Sequence, residues 1–154
     1  MVTLLGPRSD LSVHVCDRLS SHGVEVAAYG RGWGKGRFLS TERFHRTFGE
    51  SAINLNLSGR RRVFETTGSG GFLLTAPVEG LADAFITDAA DANRAEVAVA
   101  NNADELLYKV RHYLDRPRER AAIARRGYQR AHARHTWAHR LADVCTRAGW
   151  TLPD

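Results

Sequence analysis

The sequence predicts an α/β fold, a parallel β-sheet with helices on both faces and a helical C-terminal segment at about residues 103–150. Three observations carry that prediction. Short apolar runs alternate with helix-period stretches through the first two-thirds of the chain, an order that gives parallel strands joined by crossover helices. The last third carries apolar stripes at helical spacing, set off by capping residues. Finally, 154 residues that are 43% hydrophobic suffice for one domain whose core needs no disulfide or metal.

The elements follow in order. Val2-Thr3-Leu4-Leu5 reads as a buried strand that Gly6-Pro7 ends. Residues 9–22 read as a helix capped by Ser9, with Leu11, Val15 and Leu19 on one face at i, i+4, i+8 and Cys16 beside them. Gly23 closes it, and Val24 to Tyr29 is the next strand. Gly30 to Gly36 is a glycine-rich loop, and no element is assigned to 37–52. Ile53-Asn54-Leu55-Asn56-Leu57 is a third strand whose apolar residues alternate with two asparagines. A helix from about Arg61 to Ser69 leads through Gly70-Gly71 into the strand Phe72 to Thr75, and Glu96 to Ala100 is a fifth. Asn102 and Glu105 have capping-box spacing before the stripe Leu106, Leu107, Val110, Tyr113, Leu114. Pro117 suits the first turn of the next helix. Thr136 caps the last, whose stripe is Trp137, Leu141, Val144, Cys145 and Ala148.

Several function classes are excluded by composition. The chain is too apolar for disorder, and no apolar run approaches the roughly 18 residues of a membrane span. The N-terminal apolar run is too short, and lacks the basic flank, for a secretory signal. Two cysteines, Cys16 and Cys145, make no disulfide framework. A cytoplasmic protein is the expectation. Lys and Arg number 22 against 17 Asp and Glu, a net charge of +5, but residues 109–140 alone hold 10 against 2. Such a block suits nucleic acid, an anionic membrane surface or a solvated helical face.

In a parallel sheet ligands sit beyond the carboxyl ends of the strands, so the loops Gly6–Asp10, Gly30–Gly36, Ser58–Arg62 and Thr75–Gly80 matter most. The Gly30–Gly36 loop matches neither phosphate-loop fingerprint. It is either a strand-end loop offering Trp33 to a flat ring and basic side chains to an anion, or a surface loop with Trp33 packed on a neighbouring helix. Gly68 to Gly71 follows a helix, where glycine serves as a C-cap, and is structural. Ser58-Gly59-Arg60-Arg61-Arg62 opens the same helix, so free N–H groups, the positive dipole end and guanidinium groups converge there. Glu65, three residues after Arg62, either accepts from a pair of sugar hydroxyls or forms an intrahelical pair worth about 0.2–0.5 kcal/mol. His132, His135 and His139 lack a completing Cys or carboxylate, and a metal is not expected. Neither a Ser/His/Asp nor a Cys/His constellation is present.

At Arg62-Val63-Phe64-Glu65, followed by Gly68 and Gly70-Gly71-Phe72-Leu73-Leu74-Thr75, the chain resembles the C-terminal domain of GT-B-fold glycosyltransferases of group 1, specifically the group related to spore-maturation CgeB-type proteins. Further matches run in the family's order: Leu5-Gly6, Tyr29-Gly30 with Gly32-Trp33, Ile53-Asn54-Leu55-Asn56, Glu79-Gly80-Leu81, Asp104-Glu105-Leu106-Leu107, Tyr113-Leu114, Gly127, and His135-Thr136 with Arg140. They span about residues 2–145. The resemblance implies a Rossmann-like domain, 1–154, that binds the nucleotide half of a nucleotide-sugar donor without an essential metal. By the same resemblance Glu65 holds the ribose hydroxyls, Arg62 and its neighbour Arg61 lie toward the diphosphate with Arg8 of the Gly6 loop, and Gly30 to Trp33 borders the base.

Two departures bear on activity. The glutamate that many retaining members carry eight residues before the ribose one is Leu57 here, so retaining and inverting chemistry both stay open. Members also work between two Rossmann-like domains, so an acceptor-binding N-terminal domain or partner chain is expected and no catalytic residue is named. The basic helices, from Arg116 to Arg134, are expected to form a solvated or interdomain face. Nucleic acid is not the expected partner, since no aromatic interleaving accompanies the charge. The alternatives are a stand-alone nucleotide-binding or interaction module and, further off, a basic nucleic-acid binder.

Overall fold

A computed structural model describes residues 1–34, 39–57 and 59–150. Lys35 and Gly36 of the glycine-rich loop, and Ser58 before the arginine run, lie outside the described residues. The strands are β1 (Val2–Leu5), β2 (Val26–Tyr29), β3 (Ile53–Asn56), β4 (Leu73–Thr75) and β5 (Ala98–Val99). All pair in parallel, in the order β2-β1-β3-β4-β5. The helices are α1 (Asp10–Ser21), α2 (Thr41–Glu50), α3 (Arg60–Gly68), α4 (Leu81–Ala84), α5 (Ala103–Leu114), α6 (Pro117–Arg134) and α7 (Trp137–Ala148). This is the expected α/β, Rossmann-like architecture.

Register explains the layers. Leu4 lies opposite Ala28 and Leu55, Leu55 opposite Leu74, and Leu74 opposite Ala98. That row is one continuous apolar face, and Val15 and Leu19 of α1 with Leu106 and Val110 of α5 cover it. Because strand side chains alternate, Leu73 and Val99 face the other way. There they meet Val63 of α3, Leu81, Phe85 and Ala131 of α6. The sheet is therefore buried on both faces, as continuous apolar strands require.

The helix ends use local chemistry. Ser9 and Ser12 form a reciprocal capping box at α1. At α5 Asn102 accepts from the Glu105 N–H at 2.9 Å, but the Glu105 carboxylate takes the Asn101 N–H at 2.8 Å, one residue before the cap. At the C-terminus of α3 the Gly70 N–H reaches Thr67 O and the Gly71 N–H reaches Thr66 O, with Gly70 at φ +77°. That is a Schellman ending, which glycine adopts without Cβ strain. A Cβ on Gly71 would lie 2.6 Å from Phe48 O, so the second glycine cluster is structural.

Three differences from the sequence-based expectation stand out. The unassigned stretch contains α2, whose Ser40 side chain caps Arg43 N and whose Phe44 and Phe48 rings pack edge to face at 4.6 Å. It buries only Phe48, a stripe too narrow to announce a helix. Strands β2 and β5 are shorter than their apolar runs; Val97 makes only an isolated bridge to Thr87. On α7 the apolar stripe faces outward: Trp137, Leu141 and Val144 are exposed and only Cys145 is buried. Leu11 of α1 is exposed as well.

Beyond β5, Lys109 Nζ lies 2.7 Å from Asp88 and 3.0 Å from Glu105, and also donates to Val99 O. Asp88 Oδ1 accepts the Val99 N–H and its Oδ2 the Tyr113 hydroxyl. Burial would lower the Lys109 pKa, but the bonds to Asp88 and Glu105 outweigh it and raise it. The Asn101 N–H, followed by Lys109, holds Glu105 down at about 2 from an ordinary 4.5. A carboxylate with a depressed folded pKa stabilises above its unfolded pKa and loses that contribution as pH falls through the folded one. Stability is therefore expected to decline between about pH 4.5 and pH 2, and Glu105→Gln to flatten that part of the curve. Urea titrations across the window measure it; identical pH profiles for the two proteins would refute it.

Candidate functional site

The sheet order changes direction at one place. Strand β2 lies on one side of β1 and β3 on the other, so the chain leaves the carboxyl ends of β1 and β3 toward helices on opposite faces. The crevice between these diverging loops is where open α/β sheets hold ligands.

The β1 side of the crevice is built by backbone. The Gly6 N–H donates to Tyr29 O at 3.0 Å, and the Arg8 N–H to Arg31 O at 2.8 Å. These bonds tie the loop after β1 to the loop after β2. Gly30 sits at φ +131°, and a Cβ there would be 2.3 Å from Gly6 O; only glycine permits this approach. Trp33 Nε1 donates to Gly6 O at 3.0 Å, and its half-buried ring packs against the core. Gly6, Arg8, Gly30 and Trp33 thus form one cluster. Its free cation is the exposed Arg8 side chain, which has no ion pair or side-chain hydrogen bond among the described residues.

The β3 side belongs to α3. Asn56, fully buried at the end of β3, donates through Nδ2 to Thr75 Oγ1 at 2.9 Å and to Gly59 O at 3.2 Å. It fixes the φ +87° turn at Gly59 that opens the helix without a side-chain cap, leaving first-turn N–H groups for another acceptor. Arg60 is exposed, its guanidinium against Gly80 of the loop after β4. Glu65, 18% exposed, is held by Arg61 Nε at 2.6 Å and Arg62 Nη1 at 2.5 Å, one on each carboxylate oxygen. The Arg62 guanidinium also lies 4.6 Å over the Phe44 ring. Phe44 is an orienting group that the sequence-based expectation does not include; the signal for it is Ser40 ahead of aromatics at i, i+4.

A groove of about 880 Å³ runs along the outer side of α3, with the end of α6 and the start of α7 as its far wall. Arg61 and Glu65 line one side, and His132, Trp137 and Arg140 the other. The histidines serve the scaffold: His132 Nε2 contacts Gly68 O and His135 Nε2 contacts Ala84 O, each at 3.0 Å, while His139 pairs with Thr136. Among the described residues, no group of three His, Cys, Asp or Glu is placed to hold a metal, and no helix is long and apolar enough to cross a membrane. The Cys16 thiol pKa is pushed up by burial and by Asp17, which makes it a poor nucleophile.

The basic helices divide in two. Arg120 donates to the Tyr113 and Leu114 carbonyls at the end of α5, Arg126 to Ala95 O at 2.7 Å, and Arg130 to both Glu96 oxygens at 3.1 Å. These three pin α6 and are not a free surface. Arg118, Arg125 and Arg134 are exposed, with no ion pair among the described residues, and Arg116 pairs with Glu119 at 3.8 Å. The expected solvated face is therefore only part of the basic block.

Against known proteins, residues 8–146 match the family model described as glycosyl transferase-like. No curated protein matches the chain. Among solved structures it is similar to a chain of the "Crystal structure of GtfA/B complex", at 15% identity and a TM-score of 0.56, over 86% of this chain and 32% of that one. It thus spans about a third of that neighbour's length. At this identity the likeness speaks for the fold, and the family match speaks for the relationship.

Proposed function

Because the chain belongs to the glycosyl transferase-like family, we propose that it is the donor-binding half of a two-domain GT-B glycosyltransferase of the CgeB-type group, holding the nucleotide of a nucleotide-sugar. One observation supports this above the others. The Gly6–Arg8 loop and the uncapped start of α3 flank the same change of strand direction, and Glu65 lies one turn inside that helix.

In this reading the diphosphate lies between Arg8 and the first turn of α3, where free N–H groups and Arg62 stabilise the charge that grows on the leaving group. No metal is needed for that arrangement. The diphosphate draws Arg61 and Arg62 away from Glu65, whose carboxylate then accepts from two ribose hydroxyls. Gly6 and Gly30 let the two loops close against the nucleotide. The acceptor and the group that activates it come from a second domain or partner chain. The capture of Arg120, Arg126 and Arg130 by internal acceptors speaks against the nucleic-acid alternative.

Calorimetric or NMR titration with UDP, GDP and ADP tests the proposal. At least one is expected to bind, and no binding to any of them at millimolar concentration would overturn it. Glu65→Ala is expected to weaken the ribonucleotide about ten-fold, in line with hydrogen bonds to a charged group. It should barely change a 2′,3′-dideoxy analogue; equal losses for both would remove Glu65 from the ribose.

A further inference from the structure

We propose that the groove between α3 and the α6–α7 corner is an anion site, separate from the donor crevice, that takes the phosphate of a sugar phosphate. This goes beyond the donor reading and does not depend on it, since that reading lays its diphosphate between Arg8 and the first turn of α3. The anchor here stands on the far wall. The Arg140 guanidinium of α7 lies 4.7 Å over the Phe64 ring and has no acidic partner among the described residues. Resting on that ring, the cation is already held in one place, so little side-chain freedom is lost when an oxyanion arrives.

Charge selects the ligand class. Among the described residues, the lining holds the guanidinium groups of Arg60, Arg61 and Arg140 against the single carboxylate of Glu65, a net of +2. Glu65 is already held by Arg61 and by Arg62, so its charge does not offset that of Arg140. A phosphomonoester carries about −1.5 to −2 near pH 7 and presents three acceptor oxygens, which matches the excess. A carboxylate matches half of it, and a neutral ring none. Guanidinium forks also pair with phosphate oxygens two at a time. Size points to more than a bare ion, because about 880 Å³ lies within the roughly 300–1,000 Å³ of small-molecule sites. Trp137, 86% exposed at the first position of α7, stands on the same wall as Arg140. The C–H face of a pyranose packed on that indole leaves water while its phosphate reaches the guanidinium.

Calorimetric titration with glucose 6-phosphate, glucose and inorganic phosphate tests the proposal, with and without a saturating nucleoside diphosphate. The proteins are wild type, Arg140→Ala, Arg140→Lys, Trp137→Ala and Arg118→Ala, each checked for fold by circular dichroism. Arg118 is an exposed arginine of α6 outside the groove and controls for diffuse attraction. Glucose 6-phosphate is expected to bind more tightly than either of its parts, and to keep its affinity when the nucleoside diphosphate is present. Arg140→Ala should weaken it about ten-fold or more, as loss of a charge-assisted bond does. Arg140→Lys should recover part of that loss, Trp137→Ala should show a smaller one, and Arg118→Ala none. No binding of glucose 6-phosphate at millimolar concentration would overturn the proposal. So would inorganic phosphate binding as tightly, equal affinities in Arg140→Ala and Arg118→Ala, or displacement by the nucleoside diphosphate. Binding of glucose 6-phosphate without binding of any nucleoside diphosphate would instead overturn the donor reading and leave this site standing.

Discussion

Gly30→Ala is expected to destabilise the fold by about 2–6 kcal/mol, because two costs act together. At φ +131° an L-residue is strained by roughly 1–3 kcal/mol. The new methyl would also sit 2.3 Å from Gly6 O, and relieving such overpacking costs about another 1–3 kcal/mol. Relaxation is poor because Gly6 is held from two sides, by its N–H to Tyr29 O and by Trp33 Nε1 to its carbonyl. Gly34 separates the two costs. It has φ +102° but, among the described residues, no atom within 4 Å of where an alanine methyl would stand, so Gly34→Ala should show the strain alone, roughly 1–3 kcal/mol. Urea unfolding at constant m measures both. Equal losses at the two positions would mean that the contact with Gly6 carries no weight. Since Arg8 follows Gly6 by two residues, Gly30→Ala should also weaken nucleotide binding by displacing the β1 loop.

Much of this arrangement is legible in the sequence because it rests on local chemistry. Ser9, Asn102 and Thr136 cap the helices they are expected to cap, since capping needs only neighbours three residues away. The apolar runs locate all five strands, because a doubly covered sheet leaves no polar face to confuse the pattern. What spacing does not carry is the identity of distant partners. Nothing local to Arg126 and Arg130 distinguishes them from Arg118, Arg125 and Arg134; the acceptors at Ala95 and Glu96 are about thirty residues away. Asn56 likewise reads as one of two alternating polar residues, and its bond to Thr75 follows only from the β3–β4 register. Trp137 reads as part of an apolar stripe, and periodicity cannot say whether a stripe meets the sheet or a groove. The spacing of Arg62 and Glu65 admits two roles, and the geometry shows the intrahelical pair formed, which leaves its response to a diphosphate as the deciding measurement.

Gly127→Ala is expected to destabilise by about 2–4 kcal/mol although helix propensity favours it. In α6 the alanine gains about 0.8–1.0 kcal/mol over glycine from backbone and propensity effects. Against that, a Cβ would stand 2.5 Å from Glu96 O and 3.4 Å from Thr67 Cγ2. Removing the clash means lifting α6 from the strand side, and Arg126 and Arg130 clamp it there through Ala95 O and the Glu96 carboxylate. Bonds to charged groups of that kind are worth about 1.5–3 kcal/mol each, so loosening either outweighs the propensity gain. Gly68→Ala is the counterpart. It lies in the last turn of α3 with nothing within 4 Å of the new methyl, so propensity acts alone and a gain of up to about 1 kcal/mol is expected. One substitution chemistry thus gives opposite signs on two packed helices. At this chain length the Gly127 loss corresponds to a fall in Tm of roughly 5–15 °C, readable by calorimetry. The result also weighs the basic tail. If Gly127→Ala leaves Tm unchanged, α6 is not seated on Glu96, its arginines count as surface charge, and the nucleic-acid alternative regains its footing. A large loss instead makes Arg126 and Arg130 structural, since they hold α6 at Ala95 and Glu96.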